Sequence, residues 1–163
     1  MSDPTRAAYA AGLAMLSRRE LSEKQIRERL RRKEHAPDAI DGAVERLKDV
    51  RALDDRRVAV SAARTEAQVR SRGRAYVLRR LQFIGIATEV AEEAVDEVFG
   101  AIDEPALLER ALGRRLRGPG ARIRDAAHFR RLLQQLIRQG FPPSHVIAAL
   151  KAHAKRADVA DED

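Results

Sequence analysis

The side chains with most chemistry to offer are arginines. Arg64, Arg70, Arg72, Arg74, Arg79 and Arg80 lie in one short stretch opposed by a single acid, Glu66, a local charge of +5. A guanidinium is planar, permanently charged and presents a fork of donors, so this pattern suits recognition of phosphate or carboxylate rather than proton transfer. Several of these arginines surround an expected helix start, whose free N–H groups assist phosphate binding. A second group, Arg114, Arg115, Arg117, Arg122, Arg124, Arg130 and Arg131, is opposed only by Asp125. The candidate anchors to a polyanion are therefore Arg70, Arg72, Arg74, Arg79 and Arg80, with Arg114, Arg115, Arg122 and Arg124 as a second set. The net charge of +7 agrees. Nucleic acid and an acidic protein surface both fit, and arginine faces balanced by glutamate are ordinarily just solvated.

Other chemistry finds little support. His145 and His153 stand about 12 Å apart along a helix, too far to share one ion. His153 falls on an apolar stripe and reads as a half-buried helix residue. Glu92, Glu93, Asp96 and Glu97 read as the solvated face of a helix whose other face is Ala91, Ala94, Val95 and Val98. Gly118 and Gly120 flank a proline and precede no Lys-Ser/Thr pair, so they make no phosphate-cradling loop. Tyr76 and Phe129 sit inside basic stretches and fit either base stacking or core. With no cysteine there is no disulfide framework and no thiolate metal site, which suits a reducing compartment. No catalytic residue, metal or cofactor is expected, and no apolar run approaches the length of a membrane span. A cytoplasmic, non-enzymatic binding protein follows.

These side chains must be positioned by helices. Aromatics make up 4% of the 163 residues and Arg, Ala, Leu and Glu dominate, which predicts an all-α fold packed through modest aliphatic side chains. A first helix spans Thr5 to Arg18, with Tyr9, Leu13 and Leu16 on one stripe. Ser22 and Gln25 form a capping-box pattern ahead of Ile26 and Leu30. Pro37 opens a helix carrying Ile40, Ala43, Val44 and Leu47. Leu53-Asp54-Asp55 starts the central helix, which is expected to run to about Arg70, break at Ser71-Arg72-Gly73 and resume through Tyr76, Val77, Leu81 and Ile84. Gly85 is placed to close it in the left-handed conformation.

The pattern recurs. The stripe Ile40, Ala43, Val44, Leu47 reappears at an offset of 51 as Ala91, Ala94, Val95, Val98, and after a further 55 as Val146, Ala149, Leu150, His153. The same offsets carry Ile26 and Leu30 onto Val77 and Leu81, then Leu132 and Leu136. Three tandem three-helix repeats, forming an elongated curved array, are expected over residues 1–51, 52–102 and 103–157, with an acidic, frayed tail at 158–163. The four extra residues fall at the Arg117-Gly118-Pro119-Gly120 turn.

At these residues the chain resembles the RecX family of recombinase regulators. The resemblance runs from about Ala10 to Ala154 and rests on LSRRELSEKQIRERLRRK at Leu16–Lys33, IDGAVERLKDVRALDDRRVA at Ile40–Ala59 and RSRGRAYVLRRLQFIGI at Arg70–Ile86. The chain departs from the family pattern at Arg51-Ala52, where Gly-Tyr is usual, at Arg56, where an acid is usual, and at Val58, where an aromatic is common. The resemblance implies three tandem three-helix modules. It also implies binding in the groove of the RecA–single-stranded-DNA filament, with inhibition of RecA ATPase, strand exchange and coprotease activity; the array itself is read as a monomer. The rival reading is a stand-alone DNA-binding protein that presents a recognition helix without RecA. A third is an interaction scaffold that touches no nucleic acid.

Overall fold

The structure, a computed structural model, describes residues 1–116 and 121–160, with side chains through Lys155. Among these residues it is all-α: α1 (Asp3–Leu16), α2 (Glu23–Arg32), α3 (Pro37–Asp49), α4 (Asp55–Arg64), a π-helical turn (Thr65–Val69), α5 (Arg74–Phe83), α6 (Thr88–Phe99), α7 (Glu104–Gly113), α8 (Ala126–Arg138) and α9 (Pro143–Ala160). The chain divides into two compact units, one of Met1–Ala62 with Arg80–Ala94, the other of Ala63–Arg79 with Val95 onward. The Arg117–Gly120 turn lies outside the described residues. Helix α9 continues through Asp158–Ala160, into the stretch expected to fray, and Asp161–Asp163 lie outside the described residues.

In the first unit, Ile26 and Leu30 of α2 bury against Ile40, Ala43, Val44 and Leu47 of α3, closed by Leu21 and Leu53. The Ser22 hydroxyl accepts from the Gln25 N–H while the Gln25 carboxamide accepts from the Ser22 N–H, the reciprocal cap read from sequence. Helix α1 departs from expectation. Its buried face is Ala8 and Gly12, whereas Leu13 is exposed. The reason is closeness: a Cβ on Gly12 would lie 2.8 Å from Leu47 Cδ1, and one on Gly42 2.8 Å from Thr5 Cγ2. Helices that approach this tightly need small residues between them, so Leu13 turns outward while Tyr9 and Leu16 pack, partly buried, against the edge of the core.

In the second unit Leu107, Leu108, Ala111 and Leu112 of α7 pack with Leu132 and Leu136 of α8 and Val146 and Leu150 of α9 as the buried set. The third copy of the stripe is wetter than the others, because Ala149 and His153 are only half-buried. His153 Nε2 instead meets Glu109 Oε2 at 2.8 Å.

The repeat is present in the backbone as well as in the stripes. Glu34, Gly85 and Gly140, related by the same offsets of 51 and 55, are all left-handed, at φ +62°, +93° and +94°. Each follows a helix closed by the same pair of bonds. The N–H groups of His35, Ile86 and Phe141 donate to the carbonyls of Leu30, Leu81 and Leu136 at 3.1–3.2 Å, while those of Glu34, Gly85 and Gly140 donate three residues back at 2.9–3.0 Å. This is the six-to-one and five-to-two pairing that satisfies a helix's last carbonyls. The joint also recurs: the Ser22 hydroxyl donates to the Ile84 carbonyl in the first unit, and the Gly73 N–H, at the position equivalent to Ser22, donates to the Gln139 carbonyl at 2.7 Å in the second.

Candidate nucleic-acid interface

The Leu-Asp-Asp stretch has a separate task for each residue. Leu53 is buried in the first core. Asp54 Oδ1 accepts from the Arg57 N–H at 3.0 Å, capping α4 as expected. Asp55, the acid expected in the first turn of α4, also holds the start of α2, accepting from the Glu23 N–H at 2.8 Å. Burial raises the Asp55 pKa above its ordinary value, and the Glu23 and Asp54 charges add to this against the bond from Glu23. Arg51, where the family pattern usually has glycine, is left-handed at φ +55°, the conformation glycine would enter without a Cβ penalty. Arg57, held by Glu20 at 2.8 Å, donates to the Arg51 and Ala52 carbonyls.

The central helix runs on past Arg64, but as a π turn in which the Arg70 N–H reaches back to the Thr65 carbonyl at 3.2 Å. It ends at Ser71, left-handed at φ +52°, and the Arg72 N–H returns to the Glu66 carbonyl at 3.0 Å. Gly73 then closes on Gly140: a Cβ on Gly73 would stand 2.5 Å from Gly140 backbone atoms, so this approach admits only glycine. The loop bearing Arg72 is thereby fixed to the end of α8.

The structure sorts the expected arginines by what meets them. Arg74 lies 2.5 Å from Asp96 and 3.6 Å from Glu104, and its guanidinium covers the Phe99 ring at 5.3 Å. Arg70 pairs with Glu66 at 2.9 Å. Arg114 donates to the Val69 carbonyl at 3.0 Å. The acidic face of α6 therefore does more than face water, because Asp96 holds Arg74, Glu97 lies 3.6 Å from Arg64 and Glu93 lies 2.9 Å from Arg56. Arg79 is exposed on α5, and Arg80 stacks over Phe83 at 5.5 Å. Arg122 and Arg124 are placed ahead of α8, where the Arg124 N–H donates to His128 Nδ1 at 3.2 Å. Partial burial lowers the His128 pKa, and the Arg124 and Arg131 charges lower it further against Asp125.

Two residues from opposite ends of the sequence pattern do converge. Burial depresses the pKa of Arg115, just past the end of α7, and the charges of Arg72 and Arg138 lower it further. Its Nη1 donates to Gln135 Oε1 at 3.1 Å, and the Gln139 carboxamide oxygen accepts from its Nη2 and Nε. Arg72 lies over the Tyr76 ring at 4.7 Å, so Tyr76 is a platform for a guanidinium, half-buried as Phe129 is. No carboxylate pairs with Arg72, Arg115 or Arg138 among the described residues. Sequence reasoning missed Arg138 and both glutamines. The offsets held a clue, since Arg138 stands two residues before the left-handed cap, as Arg32 and Phe83 do. Phe83, 75% exposed at the end of α5, was also missed. Among the described residues no group of three or more histidines and acids could hold a metal, and no helix is long and apolar enough to cross a membrane.

A helical-repeat protein with arginines gathered where its repeats join is the class these features define. A family model described as RecX, first three-helix domain, matches residues 8–47. The regulatory protein RecX of Syntrophotalea carbinolica is 31% identical over 141 residues, spanning 85% of this chain and 90% of that protein. That of Geobacillus kaustophilus is 29% identical over 151 residues, 93% of this chain and 55% of the relative. The chain spans about half the length of the Geobacillus relatives. A crystal structure of RecX from Lactobacillus salivarius shares the fold with a TM-score of 0.71 at 22% identity, covering 93% of this chain and 99% of that one. The crystal structure of another regulatory protein RecX gives 0.73 at 20% identity, over 92% and 72% of the two chains. This chain belongs to the RecX family.

Proposed function

We propose that this protein is a cytoplasmic, monomeric, non-enzymatic regulator that lies in the groove of the RecA–single-stranded-DNA filament and inhibits RecA ATPase, strand exchange and coprotease activity. Its modules are residues 1–51, 52–102 and 103–157. The observation that carries this reading is the convergence of Arg72 and Arg115, two cations with no carboxylate partner among the described residues, at the corner where Gln139 meets both Arg115 and Gly73. Such a surface attracts a polyanion, and a helical body filling a groove resists the protomer movements that accompany nucleotide turnover. Arg79 and Arg80 on α5, and Arg122 and Arg124 ahead of α8, are the other proposed anchors, while Arg70, Arg74 and Arg114 are engaged by Glu66, Asp96 and Val69.

The test is to add the purified protein to preformed RecA–single-stranded-DNA filaments while following ATP hydrolysis. Hydrolysis falls as the protein saturates the filament. Unchanged hydrolysis at saturation would defeat the reading. Sequence-selective duplex binding without RecA at physiological salt would favour the stand-alone DNA-binding alternative.

A further inference from the structure

One group of arginines, two of them predicted from sequence and one not, is built like a receptor. It is assembled from three places: the loop after the π turn supplies Arg72, the end of α7 supplies Arg115, and the last turn of α8 supplies Arg138. Gln139 ties them to one corner, since its carboxamide meets Arg115, its carbonyl holds Gly73 next to Arg72, and Arg138 precedes it at the end of α8. Like charges gathered so repel, and a fold keeps them together only with opposing charge or fixed partners. Here the partners are neutral. Gln135 and Gln139 hold the Arg115 fork, and the Tyr76 ring carries Arg72. The loop is also clamped by the Gly73–Gln139 bond at 2.7 Å. Inside it, Arg72 Nε and the hydroxyl of Ser71, a residue 1% exposed, are buried without a hydrogen-bond partner among the described residues, beside the buried Glu66 carboxylate that Arg70 neutralises. Unpaired buried donors beside clustered guanidinium groups are what an incoming oxyanion would satisfy.

We propose that Arg72, Arg115 and Arg138 form a preorganised phosphate site that grips one phosphodiester of a single-stranded nucleic acid backbone. This deepens the filament-binding reading and rests on it for the identity of the polyanion. A phosphodiester fits better than the carboxylate of an acidic peptide, because the cations continue. Arg131 lies two helical turns before Arg138 on the same face of α8, about 10 Å away, a spacing that suits a chain of repeated charges. Glu97, Glu66 and Asp96 are engaged by Arg64, Arg70 and Arg74, which leaves this group to an external anion.

The experiment compares the full chain with Arg115→Gln and Arg138→Gln, using Arg46→Gln on the exposed face of α3 as a charge-matched control. Inorganic phosphate at constant ionic strength should raise the melting temperature of wild type and control but of neither site variant. A single-stranded oligonucleotide, followed by anisotropy across a salt series, should bind each site variant about tenfold more weakly. The slope of log affinity against log salt should shrink by about 0.7, the share of one phosphate that is no longer neutralised. Among the described residues the Arg138 guanidinium makes no hydrogen bond, so its variant tests the site even where Arg115→Gln perturbs folding. Equal phosphate stabilisation and equal slopes in all four proteins overturn the site while leaving nucleic acid binding intact. Phosphate stabilisation confined to wild type and control, with no oligonucleotide binding, keeps the site but removes the filament reading. Polyglutamate competing as well as oligonucleotide overturns the phosphodiester assignment.

Discussion

Gly140→Ala is the substitution whose cost the structure fixes most closely. Gly140 is left-handed at φ +94°, and a Cβ there would stand 2.3 Å from the Tyr76 backbone nitrogen and 2.7 Å from the Gly73 carbonyl oxygen. Two penalties combine. A side chain in the left-handed region costs about 1–2 kcal/mol, and forcing an atom into a packed site costs about 1–3 kcal/mol. The obstruction is backbone on both sides and cannot swing aside, so about 3 kcal/mol is expected from these two sources together. For a chain of this size each kcal/mol shifts the melting temperature by about 2–4 °C, which predicts a fall of about 6–12 °C in thermal unfolding followed by circular dichroism. Gly113→Ala is the control, since nothing lies within 4 Å of its Cβ. A Gly140→Ala protein that melts within about 2 °C of Gly113→Ala, less than 1 kcal/mol apart, would refute the reasoning, because the close backbone approach between the loop and α8 would then be absent.

Two further predictions concern pH. Burial raises the pKa of Asp55, so in the window just above the ordinary 3.8 the folded state binds more protons than the unfolded state and stability falls as pH rises through it. Asp55→Asn, whose carboxamide oxygen still accepts from Glu23, should therefore melt no lower than wild type at pH 7, with the difference closing below the ordinary value. A clear loss at pH 7 would show that the ionised group is needed. His128 is depressed, so its contribution is present above 6.5 and lost as pH falls from that unfolded value through the folded one. Its ring resonances should titrate below 6.5, and an oligonucleotide that neutralises Arg124 and Arg131 should move the midpoint upward. An unmoved midpoint would place the nucleic acid elsewhere.

What the sequence made legible was local. The Ser22–Gln25 cap, Pro37 in the first turn of α3 and left-handed Gly85 each depend on residues within a few positions, and each is in place. The offsets of 51 and 55 held because a buried stripe must keep its phase to keep its neighbours. The misses are distances in space. The small-residue face of α1 reflects how near α3 comes. Arg74 looked like surplus charge until Asp96 and Glu104 met it from other helices. Arg138 looked like an ordinary basic helix end, and only the joint at Gly73 and Gly140 brings its surroundings together. Nothing in Thr65–Val69 marks a π turn, since that geometry is imposed by what lies on either side.

That π turn sets the phase of everything after it. A regular helix turns about 100° per residue, and a widened turn accommodates one residue more than the regular ladder would. Shortening the chain by one residue between Thr65 and Val69 would let the ladder run straight and swing Arg70 to Arg72 about a quarter of the way around the axis. The charged loop would then miss its socket on α8 although every side chain in both was still present. Length, at this one place, is as much a part of the recognition surface as charge is.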